Sequence, residues 1–151
     1  MKIDSIKNGI VLDHITAGRS MAIYKNLGLD KLDCSVAIIK NVKSEKMGKK
    51  DIIKIDDQFT VNLDVIGYLD PNVTVCIIED GKIVKKYKVE LPETLVNIAK
   101  CKNPRCITSI EQEIDQVFVL TDKENHVYRC KYCESKLKKK RIRNHPLLFN
   151  W

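Results

Sequence analysis

Between residues 1 and 90, short apolar runs alternate with charged turns, and their periodicity predicts a sequence of compact elements. Residues 10–15 (IVLDHI) read as a strand. In residues 19–27 (RSMAIYKNL), Met21, Ile23, Tyr24 and Leu27 recur at near-helical spacing, and Gly28 follows as a stop suited to a left-handed cap. Strands are expected at 34–42 (CSVAIIKNV) and 50–56 (KDIIKID), joined by a polar turn carrying Lys43, Ser44, Glu45 and Gly48, as an antiparallel pair. Leu63, Ile66 and Leu69 then mark a short helix ended by Asp70-Pro71-Asn72. A hairpin closes the region, with strands at 73–78 (VTVCII) and 82–89 (KIVKKYKV) around Glu79-Asp80-Gly81.

The order strand, helix, two strands, helix, strand is that of the split βαβ, ferredoxin-like βαββαβ arrangement, with one strand appended by the final hairpin. An α+β class follows, in which two helices cover one face of the sheet and leave the other to solvent or a partner. Rim strands would offer an edge for pairing with a second copy. Leu91-Pro92-Glu93 marks a change of style, and the chain divides into segments 1–94 and 95–151.

The second segment is organised by cysteine. Cys101 and Cys106 enclose four residues, Cys130 and Cys133 enclose two, and twenty-three residues separate the pairs. Each pair can sit on a tight turn with its sulfurs converging on one ion. Val117 to Leu120 and His126 to Tyr128, around a polar Thr121 to Asn125, suggest a hairpin between the pairs. A small, all-β, zinc-ribbon-like domain is expected, with one structural Zn²⁺ held by Cys101, Cys106, Cys130 and Cys133 and no open coordination position. Iron–sulfur ligation and paired disulfides are the alternatives. Lys100, Lys102, Arg105, Arg129 and Lys131 are expected to lower the thiol pKa values. His126 lies close to Cys130, but with four cysteines in place it is assigned a surface or packing role. Cys34 and Cys76 lie inside apolar runs and read as small buried hydrophobes.

Composition narrows the function classes. With 44% hydrophobic residues in 151, the chain can bury a core. No run of eighteen apolar residues or secretory leader is present, so no membrane partner is expected and the cytoplasm is the default compartment. The net charge of +7 favours an anionic partner, although much of the excess sits in Lys136, Lys138, Lys139, Lys140, Arg141 and Arg143. A nucleic-acid module would share the cysteine pairs and basic tail, but the cations are not interleaved with aromatics and no recognition helix is apparent, so no nucleic acid is expected. Asp13 and His14 beside Lys50 could do acid–base work, yet no activated nucleophile, glycine-rich phosphate loop or open metal position accompanies them, and no catalytic residue is assigned.

Several stretches carry a family resemblance. Ile6-Lys7-Asn8-Gly9 with Val11-Leu12-Asp13-His14-Ile15 comes first, then Met47-Gly48-Lys49-Lys50-Asp51-Ile52-Ile53-Lys54-Ile55, then Leu91-Pro92-Glu93. Cys101 to Cys106 with Cys130-Lys131-Tyr132-Cys133 complete the set. In this order and spacing the chain resembles the regulatory chains of aspartate carbamoyltransferase, from Ile6 to about Cys133. The resemblance implies a non-catalytic subunit of pyrimidine biosynthesis. Its N-terminal allosteric domain would bind CTP, ATP or UTP and pair as a homodimer, and its zinc domain would grip the separate catalytic chain. It also implies a nucleotide site of Asp4, Ser5, Asp13, His14, Lys50, Lys54, Ile78, Ile83 and Lys86. Asp13 and Lys54 would lie toward the ribose, and His14 and Lys86 toward the phosphates. Lys50, Ile52 and Lys54 would share one strand face, opposite Ile53 and Ile55. Cys76 and Gly81 depart from the family pattern, which has an asparagine and often a tyrosine there. The tail from Lys136 to Trp151, ending in Leu147, Leu148, Phe149 and Trp151, is either a further contact to the catalytic chain or a disordered extension.

Overall fold

The computed structural model describes residues 3–142 and 145–149, with the backbone alone for 139–142 and 145–149. The chain forms two compact units, Met1–Glu90 and Leu91–Trp151.

The first unit contains β1 (Gly9–Thr16), α1 (Ser20–Asn26), β2 (Val36–Ser44), β3 (Gly48–Ile55), α2 (Leu63–Leu69), β4 (Thr74–Glu79) and β5 (Lys82–Lys88). Their sheet order is β2-β3-β1-β4-β5, with every neighbouring pair antiparallel. This is the ferredoxin-like order with one strand added at the β4 edge, as the element pattern predicts. Ile10, Leu12, Ile15, Ile53, Ile55 and Val75 from the strands are buried, as are Ile23, Val65, Ile66, Tyr68 and Leu69 from the helices, which makes one apolar layer.

The caps explain the helix limits. Asn62 accepts hydrogen bonds from Asp64 N and Val65 N at the start of α2. After α1, Gly28 takes a left-handed φ of 69° and donates to Lys25 O. In the β4–β5 turn, Asp80 (φ 51°) and Gly81 (φ 75°) both have positive φ, as a type I′ hairpin requires. The turn is tied to the N-terminal arm, because Gly81 N donates to Lys7 O and Asp80 N to Asn8 Oδ1. At Gly9 β1 leaves no room for a side chain against β3: a Cβ there would lie 2.1 Å from Ile55 O.

Some expectations need correction. Leu63 and Met21 are exposed: α1 buries only Ser20 and Ile23, whereas α2 buries every residue from Val65 to Leu69 and leaves its first turn, with Leu63, to solvent. The β2–β3 pairing continues through Lys43↔Lys49 and Ser44↔Gly48, so the turn is shorter than its polarity suggests. Cys34 is only half-buried and precedes β2; Cys76 is buried.

The second unit contains a three-stranded sheet of β6 (Thr94–Val96), β7 (Val117–Asp122) and β8 (Val127–Cys130), in that order. It also holds the single-turn α3 (Ile107–Ile110) and a separate pair, β9 (Lys139–Ile142) with β10 (His145–Phe149). Leu95, Ala99, Phe118, Tyr128 and Leu137 form its small core, and the Tyr128 hydroxyl donates to Pro92 O. The basic run therefore does not begin as a free tail: Leu137 is buried and donates its N–H to Tyr128 O. The side chains of Lys139, Lys140, Arg141, Arg143, Leu147, Leu148, Phe149 and Trp151, on which the expectation for the tail rests, lie outside the described residues.

Candidate functional sites

One site is the sheet face turned away from the helices. Residues paired across neighbouring strands share a face. The register therefore puts Ala37, Lys54, Val11, Cys76 and Lys86 in one row across all five strands. Gly9, Ile78 and Ile83 form a second row. On β3, Asp51, Ile53 and Ile55 are buried on the helix side, which leaves Lys50, Ile52 and Lys54 on the open one. Asp4, Ser5 and Lys54 line a cleft of about 330 Å³, closed by Ile3, Ile6, Ser35, Val36, Ala37 and Asp56. Ser35, Val36, Ala37 and Asp56 were not legible as site residues: the β2–β3 register sets Ala37 beside Lys54, and the folded N-terminal arm brings Asp4 and Ser5 to the same cleft.

Asp13 and His14 are consecutive and should point to opposite faces. The pairing of β1 with β3 slips between Leu12↔Ile53 and Ile15↔Asp51, so two residues stand against Ile52 alone. His14 has φ 57° at this bulge. Its Nδ1 lies 3.2 Å from Oγ1 of Thr74, which is the register partner of Asp13. The bulge thus brings both side chains to one face.

The Asp13 carboxylate accepts from His14 N at 2.6 Å and pairs with Lys50 Nζ at 2.9 Å. Burial raises its pKa, but the Lys50 hydrogen bond, the His14 N–H and the charges nearby prevail and hold it below the ordinary value. Among the described residues, Lys54 and Lys86 have no carboxylate within ion-pair distance. The face therefore carries cations whose charge is not neutralised locally. Burial raises the Cys76 thiol, with Lys86 opposing and Asp13 assisting.

The second site is in the C-terminal unit. Cys101 and Cys106 sit in the turns before α3, Cys130 ends β8, and Cys133 lies on the turn after it. All four sulfurs lie within 4.8 Å of one another, with Cys101–Cys133 at 3.5 Å and Cys106–Cys130 at 3.7 Å. A tetrahedron with metal–sulfur bonds of about 2.3 Å has sulfurs about 3.8 Å apart, so the donor set fits a tetrahedral thiophilic cation. Around the sulfurs, Thr108 Oγ1 lies 3.1 Å from Cys106 and Ser135 Oγ 3.2 Å from Cys133. Gln116 Oε1 accepts from Cys101 N at 3.0 Å. His126 is not part of the cluster.

The thiol pKa values respond to burial and hydrogen bonding, not to the nearby lysines and arginines the sequence singles out. Burial, with the neighbouring sulfurs, pushes Cys101 up to about 12 against a hydrogen bond from the Asn103 N–H. Cys130 is likewise raised, chiefly by burial. At Cys133, burial is outweighed by the Ser135 hydroxyl and backbone N–H and by Asn103, which bring it down to about 6. The cations stand on exposed positions, where water screens them.

Comparison with known proteins matches both units. Residues 1–90 match the family model described as the allosteric domain of the aspartate carbamoyltransferase regulatory chain, and residues 93–143 the one described as its metal binding domain. A regulatory chain of that name from Clostridium botulinum is 54% identical over 134 residues, covering 89% of this chain and 92% of its own length. One from Clostridium tetani is 50% identical over 135 residues, covering 89% and 94%. One from Bifidobacterium longum is 42% identical over 138 residues, covering 91% and 99%.

Proposed function

This chain belongs to the family of aspartate carbamoyltransferase regulatory chains, and from that premise we propose that it binds nucleoside triphosphates on the open sheet face and passes their effect to a catalytic chain. The chain is regulatory and not itself catalytic. The observation that carries the proposal is the five-strand row with Lys54 and Lys86 on either side of Val11 and Cys76, bordered by Asp13, His14 and Lys50. Ammonium groups on flexible stems suit a triphosphate, and the apolar residues Val11, Ile78 and Ile83 suit a base or ribose. Asp4 and Ser5 close the cleft over Lys54 and complete a site for CTP, ATP or UTP. Cys76 and Gly81 depart from the family pattern near the base, so selectivity among these nucleotides does not follow from the family resemblance.

Cys101, Cys106, Cys130 and Cys133 would hold one Zn²⁺, which supplies a cross-link that a core as small as that of this unit needs. In the proposed assembly the N-terminal unit pairs edge to edge with a second copy, and the metal-bound unit docks on the catalytic chain. Among the described residues no helix is long and apolar enough to cross a membrane, and we place the assembly in the cytoplasm. For nucleotide to alter catalysis, it must bind the assembly's states with unequal affinity.

The test is size-exclusion chromatography with light scattering on this chain mixed with its catalytic chain, with and without a zinc chelator, alongside calorimetric titration with CTP, ATP and UTP. A large complex that dissociates on chelation, with CTP binding retained, supports the proposal. A complex that survives complete removal of metal refutes the docking role, and failure to bind CTP, ATP or UTP refutes the nucleotide site.

A further inference from the structure

A carboxylate lies directly behind the nucleotide face. Asp51 is fully buried on the helix side of β3, between Lys50 and Ile52, which are on the open side. Burying a carboxylate in an otherwise apolar layer is costly unless its oxygens are hydrogen-bonded. Here they face donors alone: Oδ2 accepts from Ser20 Oγ at 2.6 Å and Gly18 N at 3.1 Å, and Oδ1 from Asn41 N at 3.0 Å. An isoleucine would fit the alternating pattern of β3, so the acid at this position calls for a reason.

The positions of the donors supply it. Both strands beside β3 are bulged next to Asp51. The β1 pairing resumes after Asp13 and His14 at Ile15↔Asp51, and the β2 pairing slips between Ile39↔Ile52 and Val42↔Lys50, with Asn41 at φ 59°. Asp51 binds the backbone N–H of that left-handed Asn41 on one side. On the other it fixes Gly18, in the link that leaves β1 just after its bulge, and Ser20, the first residue of α1. A second buried carboxylate, Asp70, holds the end of β1 through Thr16 N at 2.6 Å.

We infer that Asp51 is a positioning residue of the nucleotide site: its carboxylate fastens the bulged strands on both sides of β3 and so keeps Asp13 and His14 turned onto the same face as Lys50 and Lys54. The inference rests on the nucleotide-binding reading of that face. Asp51 touches no ligand and acts through the backbone, because a bulge that relaxed to regular pairing would return His14 to the opposite face. Asparagine is nearly isosteric but must turn its NH₂ either toward the Asn41 N–H or toward the Gly18 N–H and Ser20 hydroxyl, so it disrupts the clamp with little change of volume.

The experiment is a double-mutant cycle on the full, zinc-loaded chain, with CTP and ATP affinities measured by calorimetry for wild type, Asp51→Asn, His14→Ala and the double variant, and folding checked by circular dichroism. Asp51→Asn is expected to weaken binding tenfold or more while the fold is retained, and to cost little further in the His14→Ala background. A general loss of stability would not produce that non-additivity. If Asp51→Asn does not fold, Ser20→Ala removes one donor to the carboxylate and is expected to weaken binding several-fold, again only when His14 is present. Wild-type affinity in the folded variants, or losses that add, overturns the inference and leaves the nucleotide site standing. A wild-type chain that binds neither nucleotide overturns both.

Discussion

Gly9→Ala tests the packing that underlies the open sheet face. Gly9 is not among the glycines with positive φ, so backbone conformation does not demand glycine there; space does. An added Cβ would lie 2.1 Å from Ile55 O, 2.9 Å from Ile6 Cγ2 and 3.1 Å from Asp57 N. The Ile6 methyl can rotate aside, but the carbonyl oxygen belongs to β3 and has no rotamer. β1 and β3 would have to part by roughly 1 Å or more at Ile10↔Ile55. Overpacking costs about 1–3 kcal/mol, and a clash with backbone falls at the upper end. Alanine's restriction of the unfolded chain returns about 0.4–1 kcal/mol. The net loss is about 2 kcal/mol, which for a unit of this size lowers Tm by about 8–16 °C. Differential scanning calorimetry on zinc-loaded chain reads this directly, with the reactivity of the four clustered thiols as the control for the other unit. A Tm within about 2 °C of wild type would refute the close approach of β1 to β3.

Other perturbations test other parts. Lys54→Ala should weaken CTP and ATP binding about tenfold or more by calorimetry, as expected for loss of a charge-assisted contact; unchanged affinity removes Lys54 from the site. The Asp13 carboxyl has a depressed pKa in the fold, so its stabilising effect is fully present above the unfolded value of about 3.9 and is lost as pH falls through the folded value. The Tm advantage of wild type over Asp13→Asn should accordingly hold above about pH 4 and shrink as pH is lowered further, and a constant gap contradicts the Asp13–Lys50 pairing. Tyr128→Phe removes the hydroxyl donated to Pro92 O and should destabilise the metal-bound unit by about 1 kcal/mol, read as faster zinc release to a chromogenic chelator; an unchanged rate argues against that bond.

Period and turn chemistry made most elements of the N-terminal unit legible: the β4–β5 turn, for example, needs two positive φ values, and Asp80-Gly81 is suited to both. The cysteine spacing likewise identified the four sulfurs that converge. Irregular features were harder to see. An alternation of two residues cannot reveal where two stand against one, so the bulges at Asp13-His14 and Lys40-Asn41 were invisible, and with them the reason that adjacent residues share a face. The part played by Asp51 could not be read from the strand that contains it, because its partners, Gly18, Ser20 and Asn41, are distant in sequence. The short β6 carries too few residues to show a period. The thiol pKa values depend on hydrogen bonds from Asn103 and Ser135, which nearby charge in the sequence does not reveal.

The strand order also bears on how the protein is made. β1 is the middle strand of five, yet it is synthesised first; its partners β3 and β4 end at Ile55 and Glu79. At about 5–20 residues per second, an apolar strand leaving the ribosome waits roughly 3–13 seconds before both its edges can be covered. Ile10, Leu12 and Ile15 are exposed to other nascent chains throughout that interval. Antiparallel partners so far apart in sequence also make the final closure slow. The N-terminal unit is consequently the half of the molecule whose yield should respond most to chaperones and to the rate of translation.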